Sequence, residues 1–166
     1  MYPHNGAMRK RIVGPRQGTQ QRADSDQNDW LDLDQIATVE VTSEHPDFPI
    51  ESALDLNGSG WRASQKGEQL IRIIFDEPIS IHRMQLHFEE PEIARTQEFI
   101  VRWSSAAGGR AIDIVRQQWN FSPGGSTTET EYYVLDLERV SVLELAINPD
   151  TSHGEAVASL RSWHLG

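Results

Sequence analysis

From residue 37 onward, apolar residues recur at every second position in short runs, and each run ends in a turn cluster. Ala37 to Ser43 places Val39 and Val41 on one face, and Phe99 to Trp103 alternates in the same way. So do Tyr132 to Leu137 and Val140 to Ile147, the latter with Leu143, Leu145 and Ile147 together. A period of two is the signature of strands with one buried face. Between the runs lie His45-Pro46-Asp47, Asn57 to Gly60, Asp76-Glu77-Pro78, Ala107-Gly108-Gly109, Ser122 to Ser126, Asn148-Pro149-Asp150 and Ser152-His153-Gly154, all rich in turn formers. No stretch of ten residues keeps a helical period, although residues 49–56 suit one short helical turn. Seven or eight strands without strand–helix alternation predict an all-β sandwich or barrel.

Two runs say more about position. Leu70 to Phe75 is nearly continuous in apolar residues, as expected of a central strand buried on both faces. In the run from Ile79 to Phe88, Ile79 and Ile81 share one parity, whereas Met84, Leu86 and Phe88 share the other. A strand that keeps one face buried must absorb an extra residue there, which predicts a β-bulge at His82–Arg83.

The 166 residues suit one domain of 29–166 preceded by a flexible arm of 1–28, or by an arm that packs on a neighbouring subunit in an oligomer. The arm carries five basic and two acidic residues, leaving ten basic against twenty-three acidic in the domain. So acidic a body disfavours nucleic acid. No apolar run is long enough for a membrane helix, and the first residues do not resemble a secretion signal, so a cytoplasmic location is expected. Without cysteine there is no disulfide, thiolate metal site or cysteine nucleophile.

Motifs for chemistry are missing. Asn57-Gly58-Ser59-Gly60-Trp61-Arg62 lacks the third glycine and following helix of a dinucleotide turn, and neither a phosphate loop nor a serine elbow occurs. His82 and His87, an odd number apart on a strand, read as two separate surface histidines, and no metal site is expected. Glu89-Glu90-Pro91-Glu92 reads as a solvated loop. Of the five tryptophans most belong in the core, with Trp119 beside Phe121 the candidate for an exposed stacking ring. The chain is not expected to be an enzyme.

In order along the chain, Ala37 to Glu44, Ala53-Leu54-Asp55 with Gly58 and Gly60-Trp61-Arg62, Leu70 to Phe75 with Pro78 and Ile81, Phe99 to Ser104, and Leu160-Arg161 with Gly166 resemble the discoidin, or coagulation-factor C-type, domain. That resemblance implies the galactose-binding-domain-like fold, an antiparallel jelly-roll β-sandwich of about eight strands. It also implies ligand binding through loops at one end, here holding His45, Asp47, Phe48, Arg62, Lys66, Glu90, Arg95 and His153. Such a mix suits galactose-type sugars, since charged planar groups bond paired hydroxyls; the alternative is a protein partner in an assembly domain. Phe48 and Ile93 are too few apolar residues for membrane insertion. Asp55, Trp61 and Arg161 are implied to be structural, with Arg161 pairing Asp55. Relatives often hold a structural calcium near this turn with a Glu of the last strand. Here Trp163 takes the matching place, so no cofactor is expected and Arg161 is the substitute positive charge.

Overall fold

The computed structural model describes residues 8–13, 24–25, 30–106 and 108–166. Two antiparallel strands of 21 residues, β6 (Gln69–Glu89) and β9 (Thr128–Asn148), form its frame. The first half of β6 pairs with β4 (Ala37–Val41) and the second half of β9. That half of β9 also pairs with β7 (Arg95–Ser104), and β7 in turn with β8 (Ile112–Phe121). Beyond the turn residues Asp76 to Pro78, the second half of β6 pairs with the first half of β9 and with β11 (Ser162–Leu165). The two halves close on one core in which Phe88 stacks on Phe99, with centroids 5.2 Å apart. This is the expected β-sandwich.

The bulge lies where parity predicts it. Ile71, Ile73, Phe75 and Ile81 are buried, and burial then passes to Met84, Leu86 and Phe88. The register with β9 also shifts between Ile81 and Arg83, there with the extra residue on β9, since their partners Leu137 and Val134 are three apart. Consecutive amides of His82 and Arg83 donate to one acceptor, the carbonyl of Gly166, at 2.7 and 3.1 Å. Two residues on one strand thus face one on its partner, and the sheet turns without exposing its apolar row.

The expectation of burial on both faces of Leu70–Phe75 needs correcting. Ile74 is buried on the second face, but Arg72 stands beside it, held by Glu40 at 3.2 Å and Glu144 at 2.9 Å. Glu40 is itself only 1% exposed, so on this face an ion network stands among the buried apolar side chains of Ile74, Val142 and Ala146. Among the described residues there are eleven strand segments, more than expected. One reason is that the closing run splits at Arg161 into β10 (Val157–Leu160) and β11, where the Arg161 amide donates to the His87 carbonyl at 2.9 Å. Another is β1 (Lys10–Ile12), in the segment read as a flexible arm. It pairs in parallel with β4 and is held by Lys10 against Glu44 and Glu51. The remaining short pair is β2 (Asp24–Ser25) with β3 (Leu31–Asp32). Most of the arm lies outside the described residues.

Two short helices flank β4 along the chain. α1 (Leu33–Ile36) is capped by the Asp32 carboxylate, which accepts from the Asp34 amide at 3.1 Å. α2 (Glu51–Leu54) is the predicted turn over residues 49–56 and buries Ala53 and Leu54. The chain then doubles back so tightly that a Cβ on Gly58 would sit 2.0 Å from the Ser52 carbonyl oxygen. Gly58→Ala is therefore expected to cost about 1–3 kcal/mol, read from urea unfolding. A variant as stable as the parent would show that the turn can open.

Candidate functional site

The end loops gather around a two-stranded sheet of β5 (Trp61–Lys66) and β10. Alternation along β5 turns Trp61 and Ala63 into the core and leaves Arg62, Ser64 and Lys66 exposed. Trp61 is structural as expected: 1% exposed, it donates from Nε1 to the Ser43 carbonyl at 3.1 Å.

Two of the expected residue groups assemble on this face. In the first, the Pro46-Asp47 turn brings Phe48 back to His45, and both pair with the Arg62 backbone at 2.7 and 3.1 Å. The Arg62 guanidinium lies over the Phe48 ring, 5.3 Å from its centroid, and His45 tilts against the same ring. His45 Nδ1 accepts from the Asp47 amide at 3.1 Å, which leaves Nε2 as the nitrogen that carries the proton. Phe48, Arg62, Glu89, Ser159 and Arg161 line a shallow cleft of about 70 Å³ here.

The second group surrounds a larger depression, about 340 Å³, between Lys66–Glu68 and Asn148–Glu155. Lys66 bridges to Glu155 across it. His153 sits at its rim in the left-handed region, with φ 61°. Asp150 is held in a tight turn, accepting from the Ser152 amide at 2.9 Å and hydroxyl at 2.6 Å. Those bonds hold its carboxyl below the ordinary range. Asn148, Asp150 and Glu155 were legible in sequence only as turn residues; nothing local marked them as a wall facing Lys66.

Arg62 and Lys66 line separate depressions, and β5 is irregular between them, since they pair with Ser159 and Val157 of β10, only two residues apart. The expected single constellation is thus two neighbouring clusters.

Glu90 and Arg95 do not belong to either and must be removed from the ligand residues. The Arg95 side chain is fully buried, with Nε on Glu90 at 2.8 Å. Its Nη1 donates to the Pro149 carbonyl at 2.7 Å and to Gln97 Oε1 at 3.1 Å, and its plane lies over the Phe121 ring. It clamps two loops, those of Glu90 and Pro149, to β7 and β8 from beneath. Its sequence position beside an acidic loop looked exposed, but the inward parity of β7 buries it. Phe121 is buried under it and Trp119 is half-buried, so this pair offers no open stacking ring.

No family model matches the chain, and no curated protein matches it. Solved structures do. The Clostridium perfringens module CpGH89CBM32-4, in complex with GlcNAc-α-1,4-galactose, is similar at a TM-score of 0.59 with 16% identity, over 84% of this chain and 96% of that one. The family 32 module of C. perfringens NanJ, in complex with galactose, gives 0.56 and 12% over 78% and 92%. A pectin-binding carbohydrate-binding module gives 0.55 and 16% over 80% and 91%. The chain has the galactose-binding-like jelly-roll fold of these modules.

The calcium that the resemblance implies does not fit the residues at the Asp55–Gly58 turn. Arg161 Nη1 donates to the Gly58 carbonyl, so a guanidinium already lies against an oxygen that a cation would need. Among the described residues no group of three or more acids or histidines is arranged for a metal. Arg161 does tie the closing strand to this turn, but through Gly58 and not through the Asp55 carboxylate; its other acid neighbour is Glu89, at 3.7 Å.

Two variants test these assignments. Glu90→Ala leaves the Arg95 guanidinium buried without its partner and is expected to cost about 3 kcal/mol in urea unfolding. A loss below about 0.5 kcal/mol, as for an exposed pair, would place Arg95 in solvent. Arg161→Leu is expected to cost about 1–2 kcal/mol by loss of the bond to Gly58, and an unchanged melting temperature would remove that role.

Proposed function

We propose that this chain is a non-catalytic carbohydrate-binding module for galactose-type sugars, and that the depression between Lys66 and His153 receives the sugar. The observation that carries this reading is the position of that depression. It lies at the loop end of a fold shared with modules solved with galactose and with GlcNAc-α-1,4-galactose. Its wall suits a pyranose: Lys66 and Asn148 donate, Asp150 and Glu155 accept, and His153 can do either. Arg62 covers the Phe48 ring, so hydrogen bonds and not stacking supply the affinity. A closer kinship with discoidin domains, within the same fold, belongs to this proposal.

The test is a titration with galactose, N-acetylgalactosamine and pectic oligosaccharides, followed by amide chemical shifts. Shifts are expected at residues 66–68 and 148–155. Lys66→Ala and His153→Ala should each weaken binding about tenfold, the worth of one hydrogen bond to a charged group. Shifts centred on Arg62 and Phe48 would move the site to the smaller cleft, and no response to any sugar on a glycan array would end the reading.

A second reading, an assembly domain with a protein partner or a second copy, is favoured by one observation. The β4 edge accepts an extended basic segment, with Lys10 between Glu44 and Glu51. If that edge serves assembly, removal of residues 1–28 will change the mass in solution; an unchanged mass speaks against it.

A further inference from the structure

Between β7, β8 and β9 the sandwich interior is polar, and neither core packing nor the sugar site uses those groups. Gln97 is fully buried and Glu129 is 1% exposed. Five buried side-chain atoms here have no hydrogen-bond partner among the described residues: both carboxyl oxygens of Glu129, Nη2 of Arg95, Nε2 of Gln97 and Nε1 of Trp119. Buried polar atoms are otherwise nearly always paired, so such a cluster asks for an explanation. Register brings it together. Gln97 faces Trp119 across β7 and β8, while Glu129 stands opposite Phe88 of β6, whose ring stacks on Phe99 of β7. Glu131 projects to the same side as Glu129 and accepts from Gln117 Nε2 at 2.8 Å.

We propose that Glu129, whose two carboxyl oxygens have no partner among the described residues, keeps its proton inside the sandwich, and that its release to solvent resets the Arg95 clamp beneath the end loops. With the proton held, Glu129 is neutral. Arg95 then keeps its bonds to Glu90 and the Pro149 carbonyl. Once the proton leaves, a buried anion attracts the unused Nη2 of Arg95, in competition with those bonds. The loop of residues 89–94 and the depression wall at residues 149–155 therefore sense the charge of Glu129.

The groups that face Glu129 support a held proton. On its own strand they are Glu131 and Tyr133, and on β7 they are Arg95 and the neutral Gln97. β6 presents Phe88 and β8 presents Gln117 and Trp119, none of which titrates near neutrality. Burial first, and then the like charge of Glu131, push the Glu129 carboxyl from 4.5 up to about 7, against the pull of Gln97 and Arg95. Burial and the same two carboxylates push the Tyr133 hydroxyl up to about 12. For Glu129 the folded value exceeds the unfolded one. The folded state therefore gains from the held proton at low pH and loses that gain as pH rises through about 7.

Carboxyl carbon shifts of the full-length labelled protein, followed from acid to alkaline pH without any sugar, test this apart from the sugar reading. The Glu129 carboxyl is expected to titrate with a midpoint near 7. The Arg95 Nε–H and Gln97 side-chain amide signals should follow the same midpoint. Glu129→Gln should abolish that response, and Glu131→Gln should move the midpoint down toward the ordinary range by removing the like charge. A Glu129 midpoint in the ordinary glutamate range overturns the proposal, and so does an Arg95 response that persists in Glu129→Gln. Should Glu129→Gln fail to fold, the parent titration and Glu131→Gln decide.

Discussion

The antiparallel pairing of β6 with β9 carries the rest of the structure. Both strands pass from one half of the sandwich to the other, and their shared bend sets how the halves face. A bend in a paired strand threatens to rotate its apolar row out of the core, because side chains alternate strictly. The bulge at His82–Arg83 removes that conflict by adding one residue. The carbonyl that satisfies both bulge amides belongs to Gly166, so the end of the domain locks the bend on which the fold depends.

The loop end depends on a different kind of interaction. The Arg95 guanidinium is buried away from bulk solvent, and it meets a carboxylate, a carbonyl, an amide oxygen and a ring at once. Loops otherwise free to move are thereby referred to one rigid strand. The side chains lining the depression can then be exposed, as Lys66 and Glu155 are, while their backbone stays placed. The same low-dielectric interior makes Glu129 sensitive to its neighbours, since an unpaired buried charge is costly there.

How far the site was legible in the sequence varies with distance along the chain. The family resemblance placed His45, Phe48 and Arg62 in the end loops, and the Pro-Asp turn with β5 does bring their backbones together. It placed Lys66 and His153 there too; both line the depression between β5 and residues 148–155, which no local signal specifies. Glu90 and Arg95 were misplaced because a charged pair beside an acidic loop looks solvated unless strand parity is carried to its first residue. Arg161 was right as a tie and wrong in its partner: the turn offers both a carboxylate and a carbonyl, and only their placement in space chooses between them.

Alternation and turn chemistry by themselves determined an all-β chain, its strand order of burial, the short helical turn and the bulge, because each is a property of neighbours along the backbone. What lies under Arg72, which loops Arg95 clamps, how the ligand surface divides into two clusters, and why acids meet inside the sandwich were decided only by tertiary structure. Each of these depends on residues dozens of positions apart, brought together by register. Register is set by the sum of the packing and not by any one segment.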